Sequence, residues 1–149
     1  MDIFALLVED HEKAKTLFTA IKETPEKQVK ERERLFAEFN LELSVHMEAE
    51  EKFFYSEILS DEKTHDKSME AFEEHKVAKA LLKELEADPK GTEQWTAKFK
   101  VLCENIEHHV KEEEEDIFPK ARKLLSATEA QNIADEVLEY KETFNLVDQ

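Results

Sequence analysis

The chain has 149 residues, one glycine, three prolines and a formal charge of −16 at pH 7. So large a surplus of acid works against nucleic acid and anionic membranes as partners, and so little glycine and proline leaves scant turn chemistry for a sheet. The length suits a single domain over residues 1–149 with a core of its own.

No apolar run approaches the ~20 residues of a membrane-spanning helix. The N-terminal IFALLV is short and runs straight into Glu9 and Asp10, unlike a signal peptide. Cys103 is the only cysteine, so no intrachain disulfide forms and a cytoplasmic setting is expected.

A first helix is expected over about residues 2–22, its stripe being Phe4, Leu7, Val8, His11, Ala14, Phe18 and Ile21. Pro25, after Thr24, suits the first position of a second helix. That helix extends to about residue 59, with Phe36, Phe39, Leu43, His46, Glu50, Phe54 and Ile58 on one face. A polar link over 60–64 follows. A third helix covers about 67–86, facing inward with Ala71, Phe72, His75, Ala78, Leu82 and Leu85, and Asp88-Pro89-Lys90-Gly91 breaks it. The fourth runs from about 92 to 125, its last turns kinked or tightened by Pro119. Ser126 with Glu129 reads as a capping box, opening a shorter helix to about residue 144 whose inward face is Ile133, Val137 and Tyr140.

The expected fold is all-α: an up-down-up-down four-helix bundle over about 2–125, with an additional C-terminal helix over about 127–144 packed outside it or across one end. One mismatch stands out. His11 lies about 13 residues before the first link and His46 about 21 after it, a level difference of roughly 10 Å at ~1.5 Å per residue. Either the start of the second helix is not helical, or that helix projects beyond the first.

The stretch IEHHVKEEEEDIFPKA concentrates the chemistry. Leu102, Ile106, His109, Glu113, Ile117 and Ala121 share one helical face. A carboxylate on an apolar stripe is costly to desolvate unless compensated, and a histidine one turn away suggests a metal as the compensation. The neighbouring acids, Glu112 and Glu114 to Asp116, fall off the stripe and read as solvated surface.

An internal repeat extends this to a constellation. Shifted by 64 residues, VEDHEKAKTLFTAI falls on FEEHKVAKALLKEL and His11 on His75. Shifted by 63, ELSVHMEAEEKFFY falls on NIEHHVKEEEEDIF, matching His46 to His109, Glu50 to Glu113 and Glu51 to Glu114. A helical hairpin is written twice, each copy giving one His from its first helix and a His-x-x-x-Glu from its second. A single histidine on an apolar face is more often a satisfied core residue than a ligand. Four of them with two glutamates, repeated in order, are far harder to explain without a metal.

Imidazole and carboxylate without thiolate suit iron, manganese or zinc. Six side chains exceed one zinc, and a repeated site suggests two ions. If both glutamates bridge, the six side chains fill eight of twelve octahedral positions. A bridging oxide or hydroxide fills two more, leaving about one position per ion for O2, NO, peroxide or water.

The pattern His11 … His46-x-x-x-Glu50 … His75 … His109-x-x-x-Glu113 resembles the hemerythrin-like, or HHE cation-binding, family. DIFALLVEDHEKAKTLF, HMEAEEKFFY and HVKEEEEDIFP look like that family's segments, and the resemblance covers about residues 2–125. It implies a non-haem di-iron centre in which His11 and His46 serve one iron, His75 and His109 the other, and Glu50 and Glu113 bridge. Oxygen-carrying hemerythrins add a histidine four residues after the third-helix one, where this chain has Lys79. They also use an aspartate five residues after the last-helix histidine, where this chain has Glu113 at four. Both departures argue against dedicated oxygen transport.

Of the other candidates, Glu42 lies one turn before His46, as solvated surface or an extra carboxylate near the metals. His108, His65, Glu12 and Glu51 read as surface, Cys103 as a packed thiol, Tyr55 as bundle packing and Trp95 as a cap on the core. The leading expectation is a small di-iron protein that binds or reacts with O2 or a related small ligand, for sensing, storage or scavenging. The alternative is a di-iron redox enzyme or an iron-handling or nitrosative-stress repair protein. A ferritin-like site wants two Glu-x-x-His motifs, and only Glu62-x-x-His65, in a link, has that spacing. A metal-free interaction bundle is the third reading.

Overall fold

In the computed structural model, which describes residues 1–146, every regular element among the described residues is helical. Helix α1 spans Ile3–Glu23, its first turn capped by Asp2, whose carboxylate accepts from the Ala5 N–H at 2.9 Å. Helix α2 spans Val29–Ala49 and continues through a π-helical stretch, Glu50–Tyr55, into Ser56–Ile58. Helix α3 spans His65–Ala87. Helix α4 spans Glu93–Glu112 and continues through π-helical Glu113–Ile117 into Phe118–Leu124. Helix α5 spans Ala127–Glu142 behind the expected capping box of Ser126 and Glu129.

Helices α1 and α2 pair, as do α3 and α4, forming the four-helix bundle. Helix α5 packs against α1, α2 and the π stretch after Glu50. Its inward residues Ile133 and Val137 are buried, and the Tyr140 hydroxyl donates to Glu48 at 2.6 Å.

Two expectations need correction. Pro25 does not open α2. Residues 25–28 form a turn in which the Gln28 N–H donates to the Pro25 carbonyl at 3.0 Å, and the helix starts at Val29. Arg32 holds that turn by donating to the Thr24 carbonyl at 3.1 Å and, across the bundle end, to the Lys90 carbonyl at 2.8 Å. Four non-helical residues take up about 6 Å of the anticipated level difference. His65 is not in a link but is the first residue of α3, its exposed ring donating from Nδ1 to the Leu59 carbonyl at 2.8 Å. Pro119 lies just after the π stretch inside the continuous helix, which there goes without one backbone donor.

The two π stretches begin at corresponding positions of the repeat, Glu50 and Glu113. A π turn holds more residues than an α turn, so adjacent residues both point inward. Phe54 with Tyr55, and Ile117 with Phe118, are all buried. The apolar core is thereby divided in two. One cluster packs Phe4, Phe54 and Phe118 edge to face, with ring centroids 5.6–6.0 Å apart, under α5. The other gathers Phe36, Phe39, Trp95 and Phe99 at the opposite end, where the Trp95 indole donates to the Leu85 carbonyl at 2.9 Å. Cys103 is packed there, burial pushing its thiol up to about 12. Between the clusters lies a layer of polar side chains.

Candidate metal centre

The layer consists of the six residues singled out by the repeat. His11 comes from α1, His46 and Glu50 from α2 and the start of its π stretch, His75 from α3, and His109 and Glu113 from α4 and its π stretch. All but His109 are buried, and both glutamates are fully so. Glu50 Oε1 lies 3.4 Å from His46 Nε2, 3.2 Å from His75 Nε2 and 3.9 Å from His109 Nε2. Glu113 places Oε1 3.0 Å from His11 Nε2 and Oε2 3.3 Å from His109 Nε2. The Nε2 atoms of His75 and His109 are 3.3 Å apart.

Donor atoms fall into two groups, each within 4.8 Å: His11, His46, Glu50 and Glu113, and Glu50, His75 and His109. Ligands bound to one ion at about 2.0–2.2 Å lie within about 4.4 Å of each other, so this spacing is close to a coordination sphere without any rearrangement. His11 Nε2, both oxygens of Glu50 and Glu113 Oε1 are buried without a hydrogen-bond partner. Leaving a buried ion uncompensated costs several kcal/mol. Such atoms, gathered within two clusters of possible donors, fit the binding of cations.

The outward faces of the four rings are held as carefully. His11 Nδ1 lies 2.7 Å from Glu114, His46 Nδ1 2.8 Å from Asp10, His75 Nδ1 2.7 Å from Glu51 and His109 Nδ1 3.2 Å from Glu74. An ionised carboxylate only accepts, so each Nδ1 carries the proton and donates, and each Nε2 lone pair is left for the centre. The repeat extends to this outer ring, Asp10 matching Glu74 and Glu51 matching Glu114. The acid before each first-helix histidine holds the second-helix histidine of the same hairpin. The acid after each glutamate holds the first-helix histidine of the other hairpin.

Glu51 and Glu114 are therefore not idle surface, as their place off the stripe had implied. Both stay partly open to water on one side while fixing a buried ring on the other. Their signal was present in the register that pairs them, since neighbours of matched ligands were themselves matched. Tyr55 also does more than pack. Its hydroxyl donates to Glu113 Oε2 at 2.6 Å, whereas its counterpart Phe118 stacks on the His11 ring with centroids 6.0 Å apart. Lys79 donates to Glu51 at 3.1 Å, supporting the outer acid of His75. Glu42 is absent from both donor groups and lines a cavity instead; His108 and Glu12 are exposed, as expected.

Charge in the layer is strongly coupled. Burial works against a proton on His11, but the Glu113 carboxylate 3.0 Å away, with the charge of Glu50, outweighs it and raises the ring to about 9. His75 and His109 shift upward too, again against burial, the first through Glu50 and Glu51 and the second through Glu113 and Glu50. Glu113 is driven well below the carboxylate range: burial opposes this, and His109, Glu50 and His11 prevail. Tyr55 is raised well above the phenol range by burial and by the adjacent glutamates. Asp10 is lowered to about 2, burial being overcome by His46 and Lys141.

Against this layer lies a cavity of about 140 Å³, walled by Ala14, Leu43, Met47, Ala78, Ile106 and Val110 and reaching the histidine rings. It is large enough for a few atoms and mostly apolar. Among the described residues no helix is long and apolar enough to cross a membrane.

Four helices carrying a twice-written layer of imidazoles and carboxylates define a cation-binding helical bundle. The Hemerythrin HHE cation binding domain matches residues 2–121, and the chain belongs to that family. A solved structure of a hemerythrin HHE cation binding domain-containing protein from Mycobacterium kansasii superposes with a TM-score of 0.82 at 24% identity, covering 97% of this chain and 87% of that one. A DNA nickase from Nostoc sp. is 26% identical over 136 residues, which is 91% of this chain and 38% of that protein. The chain thus spans well under half the length of that curated relative.

Proposed function

We propose that this chain binds a pair of non-haem iron ions and uses them to bind or react with O2 or a related small molecule such as NO or peroxide. The observation that carries the reading is Glu50: fully buried, unpartnered at both oxygens, and facing the Nε2 atoms of three histidines. In this reading His11 and His46 hold one ion, His75 and His109 the other, and Glu50 and Glu113 lie between them. Manganese or zinc would suit the same donors, although zinc has no redox chemistry to offer O2. Iron, when bound, would supply electrons and an open coordination position to a small ligand. The chain's own part is to fix four imidazole tautomers through Asp10, Glu51, Glu74 and Glu114, to orient Glu113 through Tyr55, and to keep bulk water out with an apolar wall.

Lys79 stands where oxygen carriers have a further histidine, which favours reaction, sensing or iron handling over transport. DNA nicking stays outside the proposal. The match covers 38% of the nickase, and a chain of charge −16 repels phosphate.

Metal analysis with optical spectra of the reduced and air-exposed protein tests the reading. About two irons per chain, with a ferric spectrum that develops in air, is the expected result. Reversal of that spectrum on removing O2 would indicate binding or sensing, and irreversible conversion would indicate redox or repair chemistry. A folded protein purified from iron-replete cells that holds no iron, manganese or zinc, and takes none up, would overturn it.

A further inference from the structure

Helix α5 reaches the metal layer through one side chain. Lys141 is the one buried lysine among the described residues, only 4% exposed, and its ammonium donates to Asp10 Oδ1. The other oxygen of Asp10 accepts from His46 Nδ1 at 2.8 Å. Ammonium, carboxylate and imidazole form a line from α5 through α1 to α2, ending on the Nε2 that faces Glu50. Next to Lys141, the Tyr140 hydroxyl donates to Glu48 of α2 at 2.6 Å, so the same turn is tied down twice.

The repeat supplies an internal control. Glu74, the counterpart of Asp10, holds His109 more loosely, at 3.2 Å, with its side chain 34% exposed. The repeated hairpins account for α1 to α4 alone, so α5 and Lys141 have no counterpart on that side. Lys79, which supports the His75 arm, has a side chain 42% exposed and belongs to the surface of α3.

We infer that Lys141 is a positioning residue for the ion held by His11 and His46, so that α5 is part of one half of the centre and not of the other. The inference rests on the two-metal reading above. A carboxylate gripped at both oxygens has one rotamer, and it fixes the ring plane and tautomer of His46. With the ammonium gone, Asp10 keeps one partner and swings, and His46 swings with it. Outer partners of this kind are typically worth about 10–100-fold in metal affinity. A merely structural lysine, present to let α5 pack, would lower stability and leave both ions alone.

Anaerobic Co2+ titration, followed by visible absorption against a competing chelator, separates these. Wild type should take up two ions. Lys141→Met keeps the apolar stem and removes the charge. It should bind one Co2+ as wild type does and the other about 10–100-fold more weakly, with Lys141→Arg recovering most of the loss. Glu74→Gln should weaken the opposite ion. Equal weakening of both ions by Lys141→Met, or of neither, overturns the inference. Failure of wild type to bind two Co2+ instead defeats the two-metal reading. If Lys141→Met does not fold, hydrogen exchange decides with the lysine in place. Co2+ should slow the α5 amides in His75→Ala, which keeps the His11–His46 site, and not in His11→Ala. Slowing in both or in neither overturns it.

Discussion

In the proposed centre proton and metal would compete for the same nitrogens, and His11 shows the sense of the competition. Its folded-state value of about 9 lies above the ordinary 6.5. The stabilisation from its proton is thus complete below about pH 6.5 and is lost as pH climbs through about 9. His75 and His109 shift in the same direction. A bound metal needs the imidazole without that proton. The gap in melting temperature between metal-loaded and metal-free protein should therefore widen from pH 6.5 to 9; a constant or shrinking gap would count against the ligand assignment. Tyr55 makes a separate prediction. In Tyr55→Phe, Glu113 Oε2 loses its donor at 2.6 Å. The metal-free protein should lose about 1.5–3 kcal/mol in urea unfolding, the range for hydrogen bonds to charged groups. The number of ions bound should not change, because the phenol holds a proposed ligand and is not itself among the six.

Helices were legible where pattern and punctuation agreed, and the site was legible where it was repeated. Asp2, Thr92 and Ser126 cap as their residue types predict, and Gly91 and Pro89 mark the break between α3 and α4. The six inner side chains were found because 3.6-residue periodicity and the repeat converge on them. Periodicity alone misses the outer acids, since Glu51 and Glu114 lie about 100° round the helix from Glu50 and Glu113 and reach their histidines across an interhelical gap. It also misses the π stretches, because an extra residue in a turn leaves no mark in composition. That shift carries Tyr55 to Glu113 although a regular helix would have favoured Phe54 alone. The start of α2 was misplaced for another reason: Arg32 binds the Thr24 and Lys90 carbonyls and the Thr96 hydroxyl, contacts of long range that no local rule contains. Arg32→Met should cost about 2–3 kcal/mol in chemical unfolding and leave metal affinity intact, as this staple closes the end of the bundle away from the layer. A matching loss of metal would mean that the two ends are coupled.

The whole molecule is two apolar clusters held apart by a polar stratum, so its stability depends on what fills that stratum. Ligand present at about 1,000 times its dissociation constant stabilises a fold by about 4 kcal/mol. Removing bound metal with a chelator should thus lower the melting temperature markedly and loosen the layer first, visible as faster exchange at the amides of Glu50–Tyr55 and Glu113–Ile117. Unchanged melting after complete metal removal would show that hydrogen bonds alone suffice there.

The crossing of support between hairpins makes each hairpin depend on the other. Glu51 serves His75, and Glu114 serves His11. One hairpin cut from this chain would own two imidazoles and a carboxylate yet lack the acid that steadies its leading ring. Two identical hairpins, face to face, would supply it to each other. A single hairpin could thus complete its ring of supports only beside a second copy, each lending the other its acid.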